Sequence, residues 1–170
     1  MDRPDDRPDA AADRALKLWV VLSRAHAAVA EHVRADVARH DLTPAEFGVI
    51  EALYHKGPLL LGEVQRKILV SSGGITYLVD RLAERGLVER RPCPEDRRAS
   101  YAALTDAGEA LMRRIFPEHA RCLERALSGL DAADQQEAIR LLRALGRHAA
   151  ELRTPGAPRD RQRKPEGGAA

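Results

Sequence analysis

The stretch "SSGGITYLVDRLAERG", residues 71–86, decides how this chain folds. From Ile75 onward its apolar side chains recur at helical spacing, which predicts an amphipathic helix that ends at Gly86. The first turn contains Gly73 and Gly74, although each glycine weakens a helix by about 1 kcal/mol relative to alanine. Two interpretations are open at this point: either the glycines belong to a loop, or the helix start leaves room for a partner to approach its backbone.

The segments on either side carry explicit helix signals. In "LTPAEFGVIEALYHKGP", Thr43 and Glu46 have capping-box spacing and Gly57 is a stop, which predicts a helix over about residues 44–55. Longer helices are predicted before and after it. They cover residues 13–39, residues 106–127 with a bend at Pro117, and a last segment opened by Asp131.

A different pattern follows Gly86. The segments "LVERRP" and "ASYAALT" flank "CPEDRR", which predicts two short strands joined by a tight, charged turn. Helix, short helix, helix and two-stranded ribbon is the element order of a winged helix-turn-helix. The predicted fold class is therefore mainly α with a small β-wing.

The composition excludes several classes of protein. Of 170 residues, 44% are hydrophobic and no run approaches the roughly 18 apolar residues of a membrane span, so we expect a cytoplasmic protein that has no membrane partner. Two cysteines are too few for a disulfide framework and lack zinc-knuckle spacing, which predicts no metal site. The sequence has no nucleophile elbow, phosphate loop or dinucleotide fingerprint, so we expect neither an enzyme nor a bound cofactor.

The helix start in residues 71–86 favours DNA binding. The second helix of a helix-turn-helix enters the major groove by its N-terminus, so its first turn must offer hydroxyls and backbone N–H groups. Gly73 allows close approach, Ser71 or Ser72 can cap the helix or donate to a phosphate, and Thr76 and Tyr77 can reach base edges.

Arginines surround the predicted turn of the ribbon: Arg90, Arg91, Arg97 and Arg98. A basic loop of this kind favours insertion into a minor groove, and Asp96 can support Arg98 at the tip. The acidic residues among them leave a self-neutralising surface loop as the alternative. Arg81 and Arg85, one turn apart on the predicted recognition helix, could contact phosphates or could serve solubility alone.

The segment "ITYLVDRLAERGLVERRPCPEDRRASYAALTDAG" resembles the multiple-antibiotic-resistance regulator (MarR) family. The resemblance covers residues 42–117 closely and residues 16–152 loosely. It is carried by the Arg-Gly-Leu-Val end of the recognition helix, the Asp-Arg-Arg wing and the Leu-Thr-x-x-Gly that follows. "RPCPEDRR" and "IFPEHA", with "LSRAHAAVAEHV" and "EFGVIEALYHKG", resemble the quinone-responsive MhqR branch of that family.

The resemblance implies a homodimeric repressor that binds a pseudo-palindromic operator in double-stranded DNA and leaves it when a small aromatic effector binds. Residues 1–12 are rich in Asp, Arg and Pro, which predicts a disordered tail, and the resemblance implies that residues 13–153 form a single domain. Within this domain 13–40 and 106–153 form dimerisation helices and 44–104 the winged helix-turn-helix. Residues 154–170 form a basic, disordered tail, as the Pro, Gly and charge content of both ends also indicates.

The resemblance also implies positions for individual contacts. Ser71, Ser72, Gly73, Thr76 and Tyr77 fall in the DNA-reading helix. Arg98 takes the place of the wing arginine. Gly74 stands where close relatives have Ser or Thr, so one phosphate or base contact is expected to be missing.

An effector pocket is implied where the first, second and fifth helices meet. Trp19, Phe47, Glu51 and His119 map onto these helices, and an aromatic wall with a carboxylate and an imidazole suits a phenol or hydroquinone. The alternative for the same residues is ordinary core for the aromatic rings and ordinary surface for the carboxylate.

Two other mechanisms compete. In the first, Cys93 acts as a redox-sensing thiol, because nearby Arg90 and Arg91 would favour its thiolate; Cys122 is expected to be inert. Peroxide-sensing relatives carry their cysteine near the start of the first helix, where this chain has none. In the second, the winged helix serves protein contacts, since the fold does not fix its partner.

Overall fold

The computed structural model describes residues 9–68, 72–93 and 99–152. Within these ranges helices alternate with a small sheet. In chain order the elements are α1 (Ala10–Ala38), α2 (Pro44–Lys56), β1 (Leu59–Leu60), α3 (Leu61–Ile68), α4 (Ser72–Glu84), β2 (Val88–Pro92), β3 (Ser100–Leu104), α5 (Asp106–Leu127) and α6 (Ala132–Glu151).

Side-chain caps set the helix starts. The Thr43 hydroxyl accepts a hydrogen bond from the Glu46 N–H at 3.2 Å, and the Glu46 carboxylate accepts one from the Thr43 N–H at 2.8 Å, so the predicted capping box of α2 is present. The helix α1 starts three residues earlier than predicted. Its cap is Asp9, whose carboxylate accepts from the N–H groups of Ala11 and Ala12.

The sheet is antiparallel, with the strand order β1-β3-β2. The predicted ribbon is its β2–β3 hairpin, in which Arg90 lies opposite Ala102. The sequence pattern did not reveal β1, which pairs Leu59 with Ala102 and Leu60 with Tyr101. Two residues are too few for an alternating pattern to identify a strand.

The hydrophobic core lies between α2, α3, α4, β2 and α5. Each of these elements contributes at least one of its largest fully buried side chains, and α1 adds Val37. These side chains include Ile50, Val79, Leu82, Val88, Met112 and Ile115. Burial of this kind contributes about 1.5–3 kcal/mol per large apolar side chain, so the core fixes how α4 and the wing are presented.

The Leu-Thr-x-x-Gly segment fastens α5 to the end of α4. Thr105 caps α5 by accepting from the Gly108 N–H at 3.1 Å, and its hydroxyl donates to the Gly86 carbonyl at 2.6 Å. A Cβ on Gly108 would overlap the carbonyl oxygen of Leu87. Gly86 itself has φ 69°, a left-handed conformation that glycine adopts without a steric penalty.

α5 continues through Pro117 as one helix. The structure divides after Ser128, and α6 belongs to the second unit. That helix is capped by Asp131, as predicted, and none of its residues is buried. In the described part of the chain no helix has the length and apolar content needed to cross a membrane.

Candidate nucleic-acid interface

The recognition helix α4 begins at Ser72, so both glycines lie inside its first turn and the loop interpretation is wrong. Its buried face consists of apolar residues that include Ile75, Leu78 and Val79. On the opposite face Thr76 is exposed and Tyr77 has 59% of its surface exposed. Two side chains that can hydrogen-bond to DNA therefore stand on the outer face, beside a helix start that has no side chains at its two glycines. Ser71 lies outside the described residues.

The arginines at and just after the C-terminal end of α4 point back toward α2 and the turn before it. Arg81 has its Nη2 3.3 Å from the Glu46 carboxylate, and its guanidinium carbon lies 5.8 Å from the centre of the Tyr77 ring. Arg85 donates to the Asp41 carbonyl at 2.8 Å. The Tyr77 hydroxyl and the Glu46 carboxylate raise the pKa of Arg81. Arg81 is still 42% exposed, so a phosphate can reach it while these contacts hold it in place.

At the base of the wing the arginines are paired with carboxylates. Arg90 lies 2.7 Å from Asp80 of α4, and Arg91 lies 2.6 Å from Glu89 of its own strand. The first pair fastens the wing to the recognition helix, and the second agrees with the self-neutralising alternative for this part of the wing. Asp96, Arg97 and Arg98 lie outside the described residues.

A cavity of about 400 Å³ lies beside the outer face of α4. It brings together Arg66 of α3, Thr76 of α4, and Arg90 and Ser100 at the base of the wing. Sequence reasoning missed Arg66, because no motif separates an arginine in the last turn of a short helix from an ordinary surface charge. The cavity joins two arginines and two hydroxyls from four elements, and one carboxylate, Glu63 of α3, also lines it. The cations outnumber the anion, which suits phosphate oxygens.

The comparisons with known proteins agree with this geometry. A model of the MarR family matches residues 40–99. Over 137 residues the chain is 39% identical to the transcriptional regulator MhqR of Bacillus subtilis, and the match covers 81% of this chain and 94% of MhqR. The chain belongs to the MarR family. It is a DNA-binding transcriptional regulator with a winged helix-turn-helix, and the predicted fold class is confirmed.

Two solved structures are similar to this chain in three dimensions. Sco3205 of Streptomyces coelicolor, a MarR family regulator determined in complex with DNA, has a TM-score of 0.73 at 23% identity, covering 79% of this chain and 90% of Sco3205. BpsR of Bordetella bronchiseptica, whose DNA binding is regulated by 6-hydroxynicotinic acid, has a TM-score of 0.70 at 25% identity, covering 76% of this chain and 98% of BpsR.

Two of the predicted effector residues of this MarR protein are in contact. The rings of Phe47 and His119 lie 4.3 Å apart, and both side chains are buried. His119 Nδ1 lies 2.8 Å from the carboxylate of Asp36, which can only accept, so Nδ1 carries the hydrogen. Burial alone would raise the pKa of Asp36, but hydrogen bonds from His119 and Arg39 outweigh it, and the pKa lies below its usual value. Sequence reasoning missed Asp36, which is 83 residues from His119 along the chain.

The other two predicted effector residues lie apart from that pair. Glu51, one turn beyond Phe47 on α2, lines an open cavity of about 540 Å³ together with residues that include His55 and Lys67. Trp19 is 67% exposed and lies about 25 Å along α1 from Asp36, given the 1.5 Å rise per residue of a helix. Within one chain the four residues therefore do not form a single pocket.

The cysteines show little sign of a sensing site. Cys93 is a free thiol, 8% exposed, and the cations expected to activate it are paired with Asp80 and Glu89. Cys122 is also free, and its Sγ lies 3.8 Å from the His32 carbonyl. Across the described ranges, no three His, Cys, Asp or Glu side chains form a group that could hold a metal ion.

Proposed function

We propose that this MarR protein is a homodimeric repressor that leaves its operator when a small aromatic effector binds. The observation that carries the proposal is the exposed outer face of α4, with Thr76 and Tyr77 beside a glycine-containing helix start. A dimer places two such helices on a pseudo-palindromic operator one helical turn apart. The similarity to BpsR, a protein regulated by 6-hydroxynicotinic acid, supports an aromatic ligand.

In this proposal the DNA contacts come from two elements. Ser71, Ser72, Gly73, Thr76 and Tyr77 read the major groove from α4. Arg91, Arg97 and Arg98 contact the backbone and minor groove from the wing, with Asp96 supporting Arg98, and Arg81 adds a phosphate contact. Arg98→Ala is expected to weaken operator binding and leave the dimer intact, because each phosphate or minor-groove arginine contributes to affinity without touching the dimer surface.

The dimer is proposed from exposed apolar side chains on the two terminal helices. On α1 they are Leu16, Leu18, Trp19, Val20 and Val21, and on α6 they are Ile139, Leu141, Leu142 and Leu145. Clusters of this kind are uncommon on a monomer and are typical of an interface. A second copy of the chain is the occupant that the family favours.

The effector site is proposed at the cavity that Glu51 lines. Its volume lies within the usual range for small ligands, about 300–1,000 Å³, and its walls combine small apolar residues with Glu51, His55 and Lys67. A phenol or hydroquinone can stack there while its hydroxyls bond to these polar groups. Phe47 lies one turn, about 6 Å, before Glu51 on α2, and its ring contacts that of His119 on α5, so this pair would transmit the ligand's presence to α5.

Fluorescence anisotropy on DNA from the region upstream of the gene tests the proposal. Quinones, hydroquinones, phenolic acids and 6-hydroxynicotinic acid are added to the complex, and one of them should release the DNA. Glu51→Ala should bind DNA as tightly as wild type but require a higher ligand concentration for release, whereas Glu124→Ala, an exposed control on α5, should behave as wild type.

Two outcomes would contradict parts of the proposal. If a Cys93→Ser/Cys122→Ser variant no longer responds, the sensor is a thiol and the ligand site is rejected. If binding is insensitive to salt between about 50 and 200 mM, the phosphate contacts are absent and the winged helix serves a protein partner instead.

A further inference from the structure

Glu46 is a buried carboxylate that no DNA or effector contact accounts for. It lies in the first turn of α2 and has no exposed surface. Its Oε2 accepts hydrogen bonds from the N–H and the hydroxyl of Thr43, each at 2.8 Å. Burial alone would raise the pKa of Glu46, but these bonds and the arginines that face it lower the pKa below its usual value. The side chain is therefore ionised at neutral pH.

The second carboxylate oxygen of Glu46 is directed at the recognition helix. Among the described residues Oε1 accepts no hydrogen bond, although it is fully buried. Instead it lies 3.3 Å from Nη2 of Arg81 on α4 and 3.9 Å from Nη1 of Arg85, which directly follows α4. A helix cap needs one oxygen only. The other oxygen thus supplies a negative charge to two arginines, one in the last turn of the recognition helix and one directly after it.

Arg85 reinforces the same junction. Its guanidinium donates to the carbonyl of Asp41, in the turn between α1 and α2, so the side chain spans from α4 to the start of α2. Asp41 has φ 56°, and a left-handed conformation at a residue other than glycine is maintained only where its surroundings hold it. The carbonyl that Arg85 binds is accordingly part of a fixed turn.

We propose that Glu46 is a positioning residue for operator recognition: through Arg81 and Arg85 it fixes the orientation of α4, and thereby the register in which Thr76 and Tyr77 meet base edges. The inference rests on α4 being the DNA-reading helix, as proposed above. It adds a buried residue that never touches DNA to the set that determines specificity.

If Glu46 orients α4, Glu46→Gln should change DNA binding in the opposite direction from the one expected if Glu46 only neutralises arginine charge. The glutamine keeps the size of the side chain and an oxygen for the Thr43 cap, but it removes the negative charge beside two cations. Electrostatics alone would then strengthen binding to any DNA, because less of the arginine charge is neutralised. Loss of orientation instead weakens binding to the operator alone, by about tenfold for a coupling of ordinary size.

The measured quantity is the ratio of affinities for the operator and for a scrambled duplex, obtained by anisotropy on the full-length dimer. The expected result is that Glu46→Gln lowers this ratio about tenfold while binding to the scrambled duplex is unchanged or tighter. Glu84→Gln is the matched control, since it removes an exposed carboxylate from α4 itself. It should leave the ratio unchanged. An unchanged ratio in Glu46→Gln would overturn the proposal.

A double-mutant cycle tests whether Glu46 acts through Arg81 and Arg85. In an Arg81→Gln/Arg85→Gln background, Glu46→Gln should have no further effect on the ratio of affinities. A tenfold loss that persists in this background would mean that Glu46 acts through the α2 cap. That result would overturn the positioning role. Circular dichroism checks that each variant is folded. If Glu46→Gln does not fold, Arg81→Gln decides, because Arg81 is the nearer partner of Glu46 at 3.3 Å: a lower ratio supports the positioning role, and an unchanged ratio overturns it.

Thr76→Ala and Tyr77→Ala separate the positioning role of Glu46 from the proposed function on which it rests. If Thr76→Ala and Tyr77→Ala both leave the ratio unchanged, α4 does not read the operator and the proposed function itself fails. If they lower the ratio and Glu46→Gln does not, only the positioning role of Glu46 is rejected.

Discussion

At Gly108 a single added carbon atom would disturb the contact between α5 and the turn that follows α4. The Cα of Gly108 packs against the carbonyl of Leu87, and a Cβ would meet that oxygen, which is backbone and cannot rotate away. Gly62 offers the contrast within the same unit. A Cβ there would lie 3.9 Å from the flexible end of Arg66, an ordinary contact. Two helical glycines in one unit therefore have opposite tolerance for a methyl group.

We predict that Gly108→Ala lowers the free energy of unfolding by about 1–3 kcal/mol, because overpacking displaces backbone at the end of α4. Gly62→Ala should be neutral or raise it by up to about 1 kcal/mol, since alanine favours the helix. Urea denaturation followed by circular dichroism measures both. Equal stability of the two variants would mean that the Leu87 turn can move away from α5.

A second residue-scale prediction concerns pH and Asp36. The pKa of this buried carboxyl is lower in the folded chain than its usual value of 3.8, so Asp36 contributes stability above that value and loses it as the pH falls through its folded pKa. The unfolding free energy of wild type should therefore decline more steeply than that of Asp36→Asn from about pH 5 downward.

Urea titrations between about pH 7 and pH 3 measure this difference. Asp80→Asn is the control, because it removes an exposed carboxylate that is also ion-paired and should change stability by less than about 1 kcal/mol at each pH. Parallel pH profiles of wild type and Asp36→Asn would contradict the prediction.

The sequence predicts contacts between individual residues where the partners are close together along the chain. Thr43 and Glu46 are three positions apart, so the spacing alone predicts their capping box. The same sequence contains no sign that Glu46 also meets Arg81, or that Asp36 meets His119, because such contacts depend on how helices pack. The buried ionic residues of this protein are for this reason its least predictable features.

At the scale of elements, caps and apolar periodicity predicted most helices and the β2–β3 hairpin. The strand β1 was missed because it has two residues, and the start of α1 was placed late because the cap at Asp9 lies in a segment rich in Asp and Pro. Candidate site residues on α4 could be chosen because a helix-turn-helix exposes the start of its second helix. Effector-binding residues could not be chosen in this way, since the relative positions of three helices must be known first.

The proline inside α5 leads to a prediction about the stability of this helix. Pro117 lies inside this helix, is exposed, and cannot donate the hydrogen bond that other interior residues give. Pro117→Ala should raise the unfolding free energy by up to about 3 kcal/mol, the difference in helix propensity. Glu118→Ala, an exposed neighbour, should change it by less than about 0.5 kcal/mol. A loss of stability in Pro117→Ala would mean that the local backbone requires proline.

At the scale of the whole molecule, the exposed apolar residues of α1 and α6 lead to a prediction about assembly. Leu142→Glu introduces a charge into the apolar stripe of α6 and should convert a dimer into monomers, with a fall in operator affinity of at least tenfold because two half-sites are no longer bound together. Light scattering measures the mass. Gln136→Glu, exposed on the same helix but outside the stripe, is the control and should remain dimeric.

A Leu142→Glu variant that keeps the mass of two chains would exclude this stripe of α6 from the interface. The sequence could indicate an amphipathic last helix, but an amphipathic helix looks the same whether its apolar face meets its own chain or another copy. Whole-molecule organisation therefore had to come from the family resemblance rather than from periodicity.

α5 is attached at two points, one near its start and one in its second half. At Gly108 the helix rests on the Leu87 turn, which leads into the wing, and at His119 it is held by Asp36 of α1. These points are about 16 Å apart along the helix. A tilt of α5 by about 10° around His119 would therefore move the wing base by about 3 Å, the length of a hydrogen bond. Under the proposed release by a small aromatic effector, the ligand would therefore need only to change this angle by a few degrees.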